Sequence, residues 1–268
     1  MADSYRRMRN TARFLLANLN GFDPAQHLAP PDLMLALDRW AIDRSCRLQE
    51  EIISAYDQYQ FHLIYQRIQN FCSVDMGSLY LDIIKDRQYT TGRDSIARRS
   101  AQTALYHILE AMTRWLAPIL SFTAEEIWRN LPGERGPSVF LTTWYEGLFT
   151  VADDDRFNAA YWERLIGVRE TVSKELEKLR GTGNIGSGLD AEVNLYCDGD
   201  LAADLGRLED ELRFFLITSD ACVYPLAAKP VETVEVQINS QALAIRILPS
   251  IHDKCARCWH HRADVGQN

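Results

Sequence analysis

DSIARRSAQTALYHILEAMTRWLAPILSFTAEEIWRNL, running from Asp94 to Leu131, is the stretch whose pattern decides the fold. Apolar side chains recur at Ala97, Ala101, Leu105, Ile108, Met112, Trp115 and Ile119. A spacing of three or four residues predicts one buried helical stripe. Gly92 breaks whatever precedes it, and Asp94 is placed to act as N-cap. Pro118 has no amide donor, so the helix breaks or kinks over residues 114–117. A second helix restarts beyond it, with Thr123 and Glu126 at capping-box spacing ahead of Ile127 and Trp128. The prediction is a long core helix, a proline corner and a short helix folding back. This arrangement organises a bundle and contributes no catalytic group.

On its N-terminal side the same period continues. Residues 2–20 form an amphipathic helix with Met8, Ala12, Leu15, Leu16 and Leu19 inward and Arg6, Arg7, Arg9 and Arg13 mostly outward. Gly21 ends it. A long helix is predicted from Pro30-Pro31-Asp32 to about Tyr59, and another over 61–74. Gly77 is read as separating the latter from a short apolar piece, Leu79 to Ile84. About five helices make an all-α bundle. His62 and His107 fall inside helices, where hydrogen-bonded core or groove positions are their expected role.

Beyond Leu131 the pattern changes. Pro132-Gly133 and Gly136-Pro137 punctuate the chain, and 139–144 reads as short and extended. An amphipathic helix returns over 158–179, and a Gly-rich loop, 181–188, follows it. That loop leaves a helix and enters a strand, the wrong order for a phosphate cradle, whose amides must open a helix. A strand at 191–196, a helix at 201–216, a strand at 221–224 and a hairpin across Asn239-Ser240 complete a small α+β region.

The 268 residues are 47% hydrophobic and 25% charged, which describes a globular chain. No apolar run approaches the roughly 18 residues of a membrane span, and no signal core opens the chain, so no membrane contact is expected and the location is cytoplasmic. The net charge of -8 argues against non-specific nucleic-acid binding. It is unevenly placed: residues 1–150 are near neutral, and most of the excess acid lies in 151–268. Basic residues cluster at Arg6 to Arg13 and again at Lys85, Arg87, Arg93, Arg98 and Arg99. Such clusters either meet phosphates or form solvated helix faces. Four of the six cysteines, at 46, 72, 197 and 222, read as reduced, buried small hydrophobes.

The other two stand in Cys255-Ala256-Arg257-Cys258-Trp259-His260-His261, the one metal-like motif. Two thiolates separated by two residues supply half of a tetrahedral zinc site. A second pair is usual some 15–20 residues further on, beyond the length of this sequence. A redox pair is the rival, but the motif does not open a helix after a strand. The expectation is half a zinc site.

These residues resemble a known family. YRRMRNTARFLLANLNGF (5–22), LDRWA (37–41), FCSVDMGSLYLDIIKDRQY (71–89), APILSFTAEEIW (117–128), WYEGLF (144–149) and CARCWH (255–260) are similar to the C-terminal portion of bacterial isoleucyl-tRNA synthetases, class I enzymes. The resemblance implies a mainly α fold. Residues 1–150 are its anticodon-binding helical bundle, 151–249 a small α+β domain and 250–268 an incomplete zinc ribbon. It implies that Arg257 and Trp259 contact anticodon bases and that Cys255 and Cys258 hold zinc. Trp259 as a core plug beside the metal is the alternative. Arg98 and Arg99 are candidates for the tRNA backbone by charge only. The implied partners are isoleucine tRNA and the catalytic and editing domains of the same enzyme, in a monomer.

Neither a His-Ile-Gly-His-like nor a Lys-Met-Ser-Lys-Ser-like motif occurs in the sequence. ATP and magnesium therefore belong to a catalytic domain outside it, and the chain alone is expected neither to activate isoleucine nor to retain zinc well. A non-catalytic protein-interaction module and a free-standing tRNA-binding paralogue are the competing readings.

Overall fold

Helix α1 (Ala2–Asn18) buries Met8, Ala12 and Leu15 and leaves Arg6, Arg7, Arg9 and Arg13 exposed, as its amphipathic period requires. It opens the first of two units, Met1–Phe157 and Asn158–Asn268. The computed structural model describes residues 2–267; Met1 and Asn268, the outer limits of the first and last predicted segments, lie outside the described residues.

In the first unit a one-turn helix α2 (Pro24–His27) precedes α3 (Ala36–Asp57). The long helix predicted from Pro30 starts later than its prolines suggest. Pro31–Leu33 forms a 3-10 turn, and Leu35 is held extended while its N–H donates to Ser100 Oγ at 2.8 Å. Helix α4 (Phe61–Asn70) runs without a break through a π-helical stretch, Phe71–Tyr80, into α5 (Leu81–Ile83), and α6 (Lys85–Thr90) follows after a turn at Ile84. Gly77 therefore does not separate two pieces. A Cβ there would lie 2.9 Å from the carbonyl oxygen of Cys72, five residues back, so the widened turn needs glycine.

The deciding stretch forms α7 (Ile96–Leu116) and α8 (Ser121–Asn130), joined by a tight turn at Pro118. Two details of its caps differ from expectation. Ser95, not Asp94, caps α7, its Oγ accepting from the Arg98 N–H, because Asp94 is drawn to the Arg99 guanidinium at 2.7 Å. Thr123 and Glu126 lie inside α8, whose N-cap is Leu120 with no side-chain cap bond. Helix α7 is the axis of the unit, packed by α1, α3 and α8. Trp115 on its buried face has no accessible surface, and its indole N–H donates to Gln49 Oε1 at 3.0 Å. Residues 139–141 form a 3-10 turn rather than an extended segment, closed by the Ser138 hydroxyl accepting from Phe140 N–H.

The second unit opens on α9 (Ala159–Gly181), N-capped by Asn158, with Tyr161, Trp162, Leu165, Val168, Val172 and Leu176 buried. The Gly-rich loop leads by a 3-10 turn into β1 (Ala191–Tyr196). The single helix predicted over 201–216 is two, α10 (Gly199–Gly206) and α11 (Glu211–Leu216), divided where Glu209 takes φ +46°. Strands β2 (Asp220–Tyr224), β3 (Val234–Ile238) and β4 (Gln241–Pro249) complete a sheet ordered β2-β1-β4-β3. Only β1–β2 is parallel, and Glu192 pairs with Asp220. The β3–β4 hairpin turns at Asn239 and Ser240, both at positive φ, the signature of a tight two-residue turn. Val193, Leu195, Leu243 and Ile245 are buried in the sheet, against which α9, α10 and α11 pack.

Candidate nucleic-acid interface

Two regions hold the residues singled out by sequence, one in each unit. In the second unit, the Cys255–Cys258 turn is closed by its own backbone. The Cys255 N–H donates to the His260 carbonyl and the Trp259 N–H donates to the Cys255 carbonyl, both at 2.9 Å, and Lys254 pairs with His261 across the base. The two imidazoles anchor this knuckle. His260 is only 3% exposed, its ring edge-on to Phe214 at 5.4 Å and its Nδ1 3.3 Å from Arg213 of α11. His261 donates its N–H to Ser219 Oγ at 2.6 Å and places its ring between Asp190, at 3.2 Å, and the His252 carbonyl, at 2.7 Å.

With both imidazoles turned to the unit, Arg257 and Trp259 are left facing water. Trp259 is 62% exposed and sits at φ +67°. A bulky side chain in the left-handed region is an outlier that costs on the order of 1–3 kcal/mol and persists where the surroundings impose it. A tryptophan plugging a core beside a metal would be covered; this one presents most of its indole.

The thiols of Cys255 and Cys258 face each other. The backbone amides of Cys258 and Arg257, then the Cys258 thiol, hold the Cys255 thiol below its usual range, which favours its thiolate form. Among the described residues no group of three or more His, Cys, Asp or Glu is placed to hold a metal. The nearby imidazoles are engaged elsewhere, so the two thiols are not completed to a four-ligand zinc site by any neighbour among the described residues.

In the first unit the basic cluster of 85–99 divides by environment. Arg87, read from sequence as a solvated or phosphate-facing residue, is buried against Asp38, and Lys85 pairs with Asp82 at 2.7 Å. The Arg99 side chain is 13% exposed and is engaged by Asp94, by Gln102 at 2.9 Å, and 3.4 Å from His27. Arg98, half-buried in the first turn of α7, has its Nε buried without a hydrogen-bond partner. Arg93 is exposed beside Gly21. His107 is half-buried and bonded to the Tyr145 hydroxyl at 2.7 Å, whereas His62 is exposed rather than in a core or groove.

A helical bundle with a proline-cornered axis is followed in the chain by a small sheet unit that ends in an exposed Arg257–Trp259 knuckle. Residues 38–195 match the family described as the anticodon-binding domain of tRNA ligase, and the chain belongs to that family. Its relatives are isoleucine–tRNA ligases: it is 61% identical over its whole length to that of Nitrosococcus oceani, 61% to that of Alkalilimnicola ehrlichii, and 59% over 99% of its length to that of Thioalkalivibrio sulfidiphilus. It spans 28% of the length of each, and the catalytic domain is not within it. Among the described residues no helix is long and apolar enough to cross a membrane.

Proposed function

We propose that this chain reads the anticodon of isoleucine tRNA for an isoleucine–tRNA ligase. The observation that carries the reading is Trp259, an indole 62% exposed and held in a strained backbone conformation beside an exposed Arg257. Unpaired loop bases are recognised by stacking on aromatic rings and by guanidinium hydrogen bonds to their edges, and both groups are displayed on one short turn.

Cys255 and Cys258 supply at most two of the four ligands of a tetrahedral zinc site, so this chain alone retains the metal weakly. Arg98 meets the tRNA backbone, with Arg99 a weaker candidate because its guanidinium is already engaged. ATP, magnesium and the activation of isoleucine belong to the catalytic domain, which together with an editing domain is the partner of this chain in a monomeric, cytoplasmic enzyme. The chain alone does not activate isoleucine.

The test is the affinity of the chain for transcribed isoleucine tRNA. Trp259→Ala is expected to weaken it roughly 5- to 150-fold, the equivalent of the about 1–3 kcal/mol of one stacked base. Equal affinity of the wild-type chain and this variant overturns the reading.

A further inference from the structure

The groove between α1 and α8 is the feature of the first unit that the knuckle leaves without a role. It is lined by apolar Ala12, Leu16 and Ile127, by Arg9 and Arg13 on α1, and by Thr123, Glu126 and Asn130 on α8. The α1 arginines differ in what neutralises them. Arg6 and Arg7 both reach Asp3, at 3.9 and 3.2 Å, and Arg9 lies 3.7 Å from Glu126. Arg13 is exposed and forms no salt bridge among the described residues. It stands one helical turn beyond Arg9, about 6 Å further along the axis.

We propose that this groove holds the ribose–phosphate backbone of the bound tRNA, with Arg13 as its phosphate contact. This inference rests on the anticodon reading above and adds to it a sequence-independent contact apart from the knuckle and from Arg98. The small apolar lining lets sugars approach closely, and the arginines one turn apart receive the phosphates beside them. In a chain of net charge -8, a guanidinium with no ion pair among the described residues, set beside an apolar surface, suits the phosphates of a polyanion strand. Glu126 opposes the contact, since it shares the groove and attracts Arg9.

The experiment measures binding of isoleucine tRNA to the 268-residue chain over a range of potassium chloride concentrations. Arg13→Ala is expected to weaken binding about 3- to 10-fold, equally for wild-type and anticodon-substituted tRNA, and to reduce the slope of log K against log salt by about 1. Arg13→Lys keeps the slope. Glu126→Gln tightens binding, an effect that a purely structural role for α1 and α8 does not give. An unchanged affinity and slope in Arg13→Ala overturns the groove assignment while leaving the knuckle in place. Failure of the wild-type chain to bind tRNA overturns both.

Discussion

Asp38 and Arg87, 49 residues apart in sequence, meet as an ion pair at 3.4 Å with side chains 0% and 6% exposed. The carboxylate is also the acceptor for the Tyr80 hydroxyl at 2.8 Å and the Ser100 hydroxyl at 2.5 Å, so α3, α6, α7 and the π-helical stretch share one charge. Removing one partner of a buried pair leaves the other uncompensated, at a cost of about 3–5 kcal/mol. Asp38→Asn is expected to lower the stability of the first unit by that order. Urea unfolding followed by far-UV circular dichroism reads it, and a change within about 0.5 kcal/mol contradicts the network.

His107 gives the first unit an acid limb. Burial lowers its pKa from 6.5 to about 4. The folded state therefore resists a proton that the unfolded chain accepts, and between those two values the unfolded state binds more protons. Stability from this group is complete above about pH 6.5 and is lost as pH falls towards 4, a loss on the order of 3 kcal/mol. His107→Gln is expected to flatten the pH dependence of unfolding in that window. A slope equal to wild type assigns the limb to other groups.

Gly77 is tied to the π-helical turn by the 2.9 Å approach of the Cys72 carbonyl. The obstacle is backbone and cannot swing aside, so Gly77→Ala forces the turn to shift. A loss of about 1–3 kcal/mol is expected, although alanine is the better helix former in any ordinary turn. A stability gain in thermal unfolding would mean that the helix narrows there without penalty.

Trp259 separates folding from binding. Its exposure leaves little packing to lose, and its φ of +67° suits glycine. Trp259→Gly is expected to leave the thermal midpoint equal or slightly raised while tRNA affinity falls as in the alanine variant. A lowered midpoint would place the indole in the fold rather than in the interface.

Much of the bundle is legible in the sequence because its cause is local. The stripe from Ala101 to Trp115 is a period, Pro118 is a missing donor, and Asn239-Ser240 is a turn dipeptide. The knuckle is legible for the same reason, since two cysteines three apart announce themselves. What was not legible depends on long-range partners. Arg87 looks like part of a basic run until Asp38 arrives from another helix, and Gly77 looks like a break until the turn around it widens. Asp94 resembles a cap, but Arg99 claims its carboxylate and leaves the cap to Ser95. The inward turn of His260, and with it the exposure of Trp259, follows from Phe214 and Arg213 on α11, more than 40 positions away.

Anticodon reading is tested most directly by one comparison: the affinity of the chain for isoleucine tRNA and for the same tRNA with its anticodon bases substituted, at one salt concentration. Tighter binding of the natural anticodon by at least roughly 10-fold, the order of one or two base contacts, is the predicted result. Equal affinity for the two tRNAs would contradict it.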